Sequence, residues 1–247
     1  MKRYKITFAY DGSNFMGYQF QPGLRTVQGE MEEALKIINN NKKTSLNASG
    51  RTDALVHAKG QVAHADIDVS ITPYKLKRAL NTYTSDDIHV ISCEEVNDDF
   101  HARYNVKSKE YEYIINLGEF NVHERCYVYQ ACHKLDIEKM KEGLSYLKGK
   151  HDFRAFVSEN KEKENCVRTI TSCKIYQDKV DKDKYHIYFK GTGFLKYQIR
   201  NMVGTLIRIG EGKMEPSNIK KILDSKDRGK AGRTAPPEGL YLLKVNY

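Results

Sequence analysis

The sequence predicts an α+β fold with a largely antiparallel sheet. Two observations carry this: segments with strand alternation outnumber segments of helical period, and polar turns recur too often for a parallel doubly wound sheet.

The elements follow in order. Tyr4, Ile6, Phe8 and Tyr10 alternate with Arg3, Lys5, Thr7 and Ala9, the pattern of a strand with one buried face, and Asp11-Gly12 reads as its turn. Val27, Met31, Ala34, Leu35 and Ile38 recur at helical spacing, with Thr26 as N-cap and Asn39-Asn40-Asn41 as the stop. Gln61 to Val69 reads as extended. Thr72-Pro73 opens a second helix through Leu76 and Leu80, proline suiting the first turn. Ile88 to Val96 is a further strand. Asn97 to Ser108 is the least periodic stretch and suggests a boundary between two halves. Lys109 to Asn116 forms a strand with an aromatic face through Tyr111 and Tyr113. Ile137, Met140, Leu144 and Leu147 mark a helix. Strands at Val167 to Tyr176 and Tyr185 to Lys190 flank the polar turn Asp178 to Lys184. The clearest helix follows Gly191-Thr192-Gly193, with Ile199, Met202, Val203, Leu206 and Ile207 as its apolar stripe. Leu240 to Tyr247 closes as a strand. Residues 160–166, charged and without large apolar side chains, read as an exposed loop.

Composition narrows the function. The chain has 247 residues, enough to bury about 70% of its unfolded surface without staples. Lys plus Arg is 41 against 32 Asp plus Glu, a net charge of +9, with 17 Tyr and 9 Phe. The aromatics exclude a disordered chain, and the positive excess favours a polyanionic partner. No segment reaches the ~18 uninterrupted apolar residues of a membrane span. Lys5, Thr7 and Asp11 interrupt what would have to be the apolar core of a signal peptide. Cys93, Cys126, Cys132, Cys166 and Cys173 are odd in number and lack a C-x-x-C pair. They read as reduced, buried thiols of a cytoplasmic protein rather than a disulfide frame or zinc site.

Cofactor and metal motifs are missing as well. Gly191-Thr192-Gly193 lacks the third glycine and βαβ context of a dinucleotide site and reads as a tight strand-to-helix turn. The eight histidines contain no H-E-x-x-H, and His57 and His64 have no adjoining carboxylate pattern, so no metal is expected. The unusual segment is Ser49-Gly50-Arg51-Thr52-Asp53, where a glycine-led turn presents a carboxylate beside an arginine that can contact phosphate or hold the loop. A second cationic feature is a helix face carrying Lys196, Arg200 and Arg208 around Gly204, spaced in fours. The triplet Gly50-Arg51-Thr52 recurs as Gly232-Arg233-Thr234, too short to define a repeat.

Ser49 to Ala58, Ser-Gly-Arg-Thr-Asp-Ala-Leu-Val-His-Ala, resembles the catalytic motif of the tRNA pseudouridine synthase A family. Further matches follow in order along almost the whole chain: Tyr10-Asp11-Gly12-Ser13-Asn14-Phe15, Thr26-Val27-Gln28-Gly29, Phe100-His101-Ala102-Arg103 with Lys109-Glu110-Tyr111-Glu112-Tyr113, Gly193-Phe194 to Arg200-Asn201-Met202-Val203-Gly204, and Glu238-Gly239-Leu240-Tyr241-Leu242. The resemblance implies two similar α+β halves with a basic cleft between them, usually as a homodimer cradling tRNA. The halves would be residues 1–103, carrying the catalytic loop, and 104–247. It implies Asp53 as nucleophile, Tyr111 against the target uracil, Arg200 orienting the aspartate, and uridines 38 to 40 of the anticodon arm as targets. Arg51 joins the expected site as a substrate-binding residue.

The chemistry of the residues agrees. Making pseudouridine cleaves an N-glycosidic bond, rotates the base and rejoins it through carbon, so no cofactor is expected. An arginine within ~4–6 Å keeps a carboxylate ionised. Unstacking the target base costs a few kcal/mol, of which stacking on Tyr111 recovers about 1–3 kcal/mol. Distributed Lys and Arg supply phosphate contacts.

Three positions depart from the family pattern. Leu55 stands where the family usually has glycine, so either the position is conformationally ordinary here or the loop differs. Tyr18 replaces a frequent Trp. Asn81 to Ile88 lacks the usual Leu-Pro, which predicts a looser turn. A binding protein from the same family, silent in catalysis or acting as an RNA chaperone, is the alternative. A basic metabolic enzyme would need a small-molecule site that the sequence does not display.

Overall fold

The computed structural model of the chain describes residues 1–158 and 165–247. In chain order the elements are β1 (Lys2–Tyr10), α1 (Val27–Ile38), β2 (Asn47–Ala48), β3 (His57–Ile67), α2 (Pro73–Tyr83), β4 (Ile88–Val96), β5 (Ser108–Asn116), β6 (Tyr129–Gln130), α3 (Ile137–Ser145), β7 (Gly149–Asp152), β8 (Val167–Gln177), β9 (Lys184–Gly191), α4 (Gln198–Gly210), α5 (Asn218–Ser225) and β10 (Leu240–Asn246). The fold is α+β, and each strand and helix expected from periodicity is present. Of the expected loop 160–166, residues 160–164 lie outside the described residues; Cys166 is described and is buried. No helix among the described residues is long and apolar enough to cross a membrane.

The described residues divide into two compact units, Met1–Lys107 with Tyr241–Tyr247, and Ser108–Leu240. In the first, the strands run β4-β1-β3-β10, with β2 also on β3. β1 pairs antiparallel with β3 and β4, while β10 joins β3 in parallel through Tyr241 opposite His57. The alternation of β1 is realised: Tyr4, Ile6 and Phe8 are fully buried, together with Met31 and Leu35 of α1 and Leu76 and Leu80 of α2. Helix α1 starts at its expected cap, and α2 starts at the expected Thr72-Pro73 with Thr72 as its cap. Thr26 Oγ1 accepts from the Gly29 N–H at 3.3 Å, and Thr72 Oγ1 from the Lys75 N–H at 3.3 Å.

In the second unit the strands run β5-β9-β8-β7, with β6 added in parallel to β5. Helices α3 and α4 pack on each other, and α3 packs on β8. Phe153, Phe156, Phe189, Met202, Val203 and Leu206 form the fully buried centre. Three expectations change. The thiols are not uniformly buried: Cys166 is, Cys93, Cys126 and Cys173 are half-buried, and Cys132 is exposed. Lys196 is not on the cationic helix, because Tyr197 adopts a left-handed φ of 62° and α4 starts only at Gln198. The turn at Asn81 to Ile88 is not loose. The Asn81 side chain bonds both backbone groups of Val90 (2.7 and 3.1 Å), and Arg25 reaches Asp87 Oδ2 at 2.6 Å and Ser85 Oγ at 2.8 Å.

Helix α4 is set by a backbone contact. A β-carbon on Gly204 would overlap the carbonyl oxygen of Arg233, so the chain after α5 can lie directly on the helix only because both Gly204 and Gly232 lack side chains. Gly204→Ala is expected to cost about 3 kcal/mol through overpacking against backbone, lowering Tm by roughly 6–12 °C in thermal unfolding. An unchanged Tm would contradict the close approach.

Candidate functional site

The loop carrying Arg51, Thr52 and Asp53 lies between β2 and β3. It rests on a buried polar network in the first unit. The Tyr10 hydroxyl and Thr52 Oγ1 are 2.8 Å apart; Gln61 Nε2 donates to the Gly50 carbonyl at 3.0 Å and reaches the Tyr10 oxygen at 3.5 Å. Ser49 Oγ donates to Gln61 Oε1 at 2.8 Å. Ser49, Thr52, Gln61 and Tyr10 are all buried. Burial pushes the Tyr10 phenol up to about 12, against the opposing pull of its bonds to Thr52 and Gln61, so it stays a neutral hydroxyl. From above, the Tyr18 N–H donates to the Thr52 carbonyl at 3.1 Å and the Leu55 N–H to the Phe15 carbonyl at 3.3 Å. The loop then turns through a 3.3 Å bond from the Val56 N–H to the Asp53 carbonyl. Arg51 is exposed and Asp53 half-buried, the placement a reactive carboxylate needs if its backbone is to be fixed and its oxygens reachable.

The start of β3 is tied down as well. The Gly12 N–H donates to His57 Nδ1 at 3.1 Å, and the His57 ring stacks on Tyr241 at 4.7 Å between centroids. Ser13 N–H bonds Asp11 Oδ1 at 2.9 Å, the turn expected after β1. Leu55 is not conformationally ordinary: its φ is 64°, the left-handed region that glycine would occupy without strain.

In the second unit, Tyr111 is on β5 opposite Phe189 and is 8% exposed. The Phe194 ring meets it edge-on at 5.2 Å and 78°. Arg200, half-buried on α4, donates from Nε to the Ala235 carbonyl at 2.7 Å, and its own carbonyl accepts from the Ala235 N–H at 3.0 Å. Its guanidinium lies 5.3 Å from the centroid of the Tyr197 ring. The same segment is clasped by Asn201, whose Oδ1 accepts from Thr234 Oγ1 at 2.7 Å and from Arg228 Nη2 at 2.9 Å, and by the Tyr113 hydroxyl, which donates to the Pro236 carbonyl at 2.9 Å. Desolvation raises the Glu238 carboxyl, with Arg200 acting in the opposite direction.

Arg51 and Asp53 therefore share one loop of the first unit, and Tyr111 and Arg200 belong to the second, linked by the short run from Phe194 to α4. The two Gly-Arg-Thr triplets make unrelated contacts, Thr52 with Tyr10 and Thr234 with Asn201. Sequence reasoning missed Tyr10, Gln61, Tyr197 and Ala235 as supports. Gln61, a fully buried amide within β3, carries no distinguishing sign in the sequence, because His64 and Asp66 make the same run mixed in polarity. Among the described residues no three His, Cys, Asp or Glu side chains are grouped to hold a metal ion.

Tyr10→Phe removes the hydroxyl and leaves buried Thr52 Oγ1 without that partner, at an expected cost of about 1–2 kcal/mol. We expect Tm to fall by roughly 2–8 °C, and turnover to fall about tenfold as the loop loses its support. Wild-type Tm and turnover in this variant would show that the network does not set the loop.

Comparison with known proteins identifies the family. A family model described as tRNA pseudouridine synthase matches residues 6–105 and 144–247. The chain is 44% identical over 249 residues to a protein of Listeria monocytogenes serotype 4a (strain HCC23) named tRNA pseudouridine synthase A, covering 100% of both chains. It is 45% identical over 249 residues to a protein of the same name from Anoxybacillus flavithermus (strain DSM 21510 / WK1), covering 100% of this chain and 99% of the relative. With the family model matched in both units and this identity sustained along the full length, the chain belongs to the tRNA pseudouridine synthase family.

Proposed function

We propose that the protein isomerises uridine to pseudouridine at positions 38 to 40 of the tRNA anticodon arm, with Asp53 as nucleophile. The observation that carries this is the loop: a half-buried carboxylate on backbone fixed from both sides, beside an exposed arginine. In this reading Arg51 contacts the RNA backbone, Tyr111 packs on the target uracil and Arg200 orients the aspartate. The net positive charge of +9 suits a polyanionic substrate.

The reaction breaks the bond from ribose C1′ to N1 of the base and forms one from C1′ to C5. The proton leaves C5 and N1 acquires one, so atoms and electrons balance without oxidant, reductant or imported group, and no cofactor is required. The Asp53 carboxylate attacks either the sugar or the base; both routes need it in nearly the same place. Edge-on contact with Phe194 holds the Tyr111 ring in one orientation, so little ordering is left for the moment of binding. We assign the protein to the cytoplasm, acting as a homodimer on tRNA.

Asp53→Asn tests the assignment, because the amide keeps the shape and loses the nucleophile. With unmodified tRNA carrying [5-³H]uridine, tritium release is expected to fall on the order of 10³-fold or more, while RNA affinity and Tm stay at wild-type values. Substantial release by Asp53→Asn would overturn the role of Asp53. Binding without release by the wild type would select the RNA-binding or chaperone reading.

A further inference from the structure

Two residues beyond Asp53, Leu55 has φ 64° and is 40% exposed. Left-handed backbone drives the β-carbon of an L-residue towards the following carbonyl oxygen, and glycine avoids this. Strain of this kind persists where the side chain is held by burial or does something for the molecule. Burial does not account for Leu55, and a leucine side chain has no polar atom with which to stabilise the turn. The bond from its N–H to the Phe15 carbonyl, 3.3 Å, would be made equally by glycine. Neither full burial nor backbone conformation therefore calls for leucine at this position.

Its neighbourhood supplies the explanation. Met16 follows Phe15, so it lies between the two backbone bonds that fasten the 15–18 segment to the loop, Leu55 N–H to Phe15 and Tyr18 N–H to Thr52. Met16 is 51% exposed. Two large apolar side chains thus keep about half their surface in water on the segments that hold Asp53, with exposed Arg51 on the same loop. A nucleic acid offers such a rim one apolar partner, the face of an unstacked base; its phosphates are the natural partner of Arg51.

We propose that Leu55, backed by Met16, is a specificity-determining residue whose side chain packs on the base flanking the target uridine and so selects which uridines reach Asp53. The proposal rests on the reading of Asp53 as the nucleophile of uridine isomerisation. The strain at Leu55 is then retained because glycine would relieve it and lose the contact.

The test compares wild type, Leu55→Gly and Leu55→Met on three tRNA substrates, each carrying its only anticodon-arm uridine at position 38, 39 or 40, with tritium release as readout. For Leu55→Gly the expected result is a Tm at or above wild type, KM raised about tenfold and a redistribution of kcat/KM among the three substrates of similar size. The loss falls on KM rather than kcat. Leu55→Met, which restores apolar bulk, is expected to keep the wild-type order of preference. Leu55→Gly with KM and preferences within about twofold of wild type would overturn the proposal while leaving the role of Asp53 intact. A uniform fall of kcat on all three substrates would overturn it too, by showing a structural role in the loop. A wild type that binds all three without release would overturn the reading of Asp53 itself, and this proposal with it.

Discussion

The constraint on which the Asp53 loop depends is a polar network buried beneath it. Tyr10, Thr52, Gln61 and Ser49 could each have been apolar, and the sheet would still have its core. Instead they pair with one another and with the Gly50 carbonyl. A buried hydroxyl or amide is tolerated only when its bonds are made, so the network is satisfied in few arrangements of the loop. That selectivity is what a reactive carboxylate needs. In the proposed role of nucleophile, Asp53 would not require strong intrinsic nucleophilicity, because its position relative to the ribose and base would be fixed before the RNA arrives.

The second unit reaches a comparable end by a different route. Helix α4 carries buried Gln198, Asn201 and Thr205 among its apolar residues. These bind backbone and side chains around the helix: Gln198 caps the Leu195 N–H, Asn201 reaches Phe156 and Thr234, and Thr205 accepts from the Gly232 N–H. The glycine contact between α4 and the 232–235 segment permits the close approach, and the polar residues fix its register. Arg200 then has its guanidinium fastened to the Ala235 carbonyl and its main chain bonded to the same residue. The order is the same in both units: backbone is immobilised first, and the charged group is carried on it.

What was legible in the sequence was what depends on local periodicity. The alternation of β1, the cap at Thr26, the Thr72-Pro73 start of α2 and the apolar stripe of α4 each follow from short-range pattern, and each is present in the fold. The two-residue strands β2 and β6 and the four-residue β7 are too short to carry a pattern and exist only through long-range pairing. Helix α5 has just three buried residues, Ile219, Ile222 and Leu223, in eight positions. The left-handed residues Leu55 and Tyr197 leave no periodic signal at all, and the second of these removed Lys196 from the expected cationic face. Tyr10 was legible as a core residue, but a tyrosine counts as apolar in such patterns, so its hydroxyl's task was hidden. The site residues were reached through ordered motifs rather than through physics, and the geometry then supplied a reason for the loop at Asp53 and the clasp at Arg200.

The central claim is that this fixed carboxylate makes pseudouridine from uridine in tRNA. The most direct measurement is a nucleoside count: an unmodified tRNA is incubated with the protein alone, digested, and its uridine and pseudouridine quantified. The account predicts that pseudouridine appears mole for mole as uridine is lost, and that replacing uridines 38 to 40 with cytidine abolishes it. Uridine left unchanged in a tRNA that the protein binds would contradict the account.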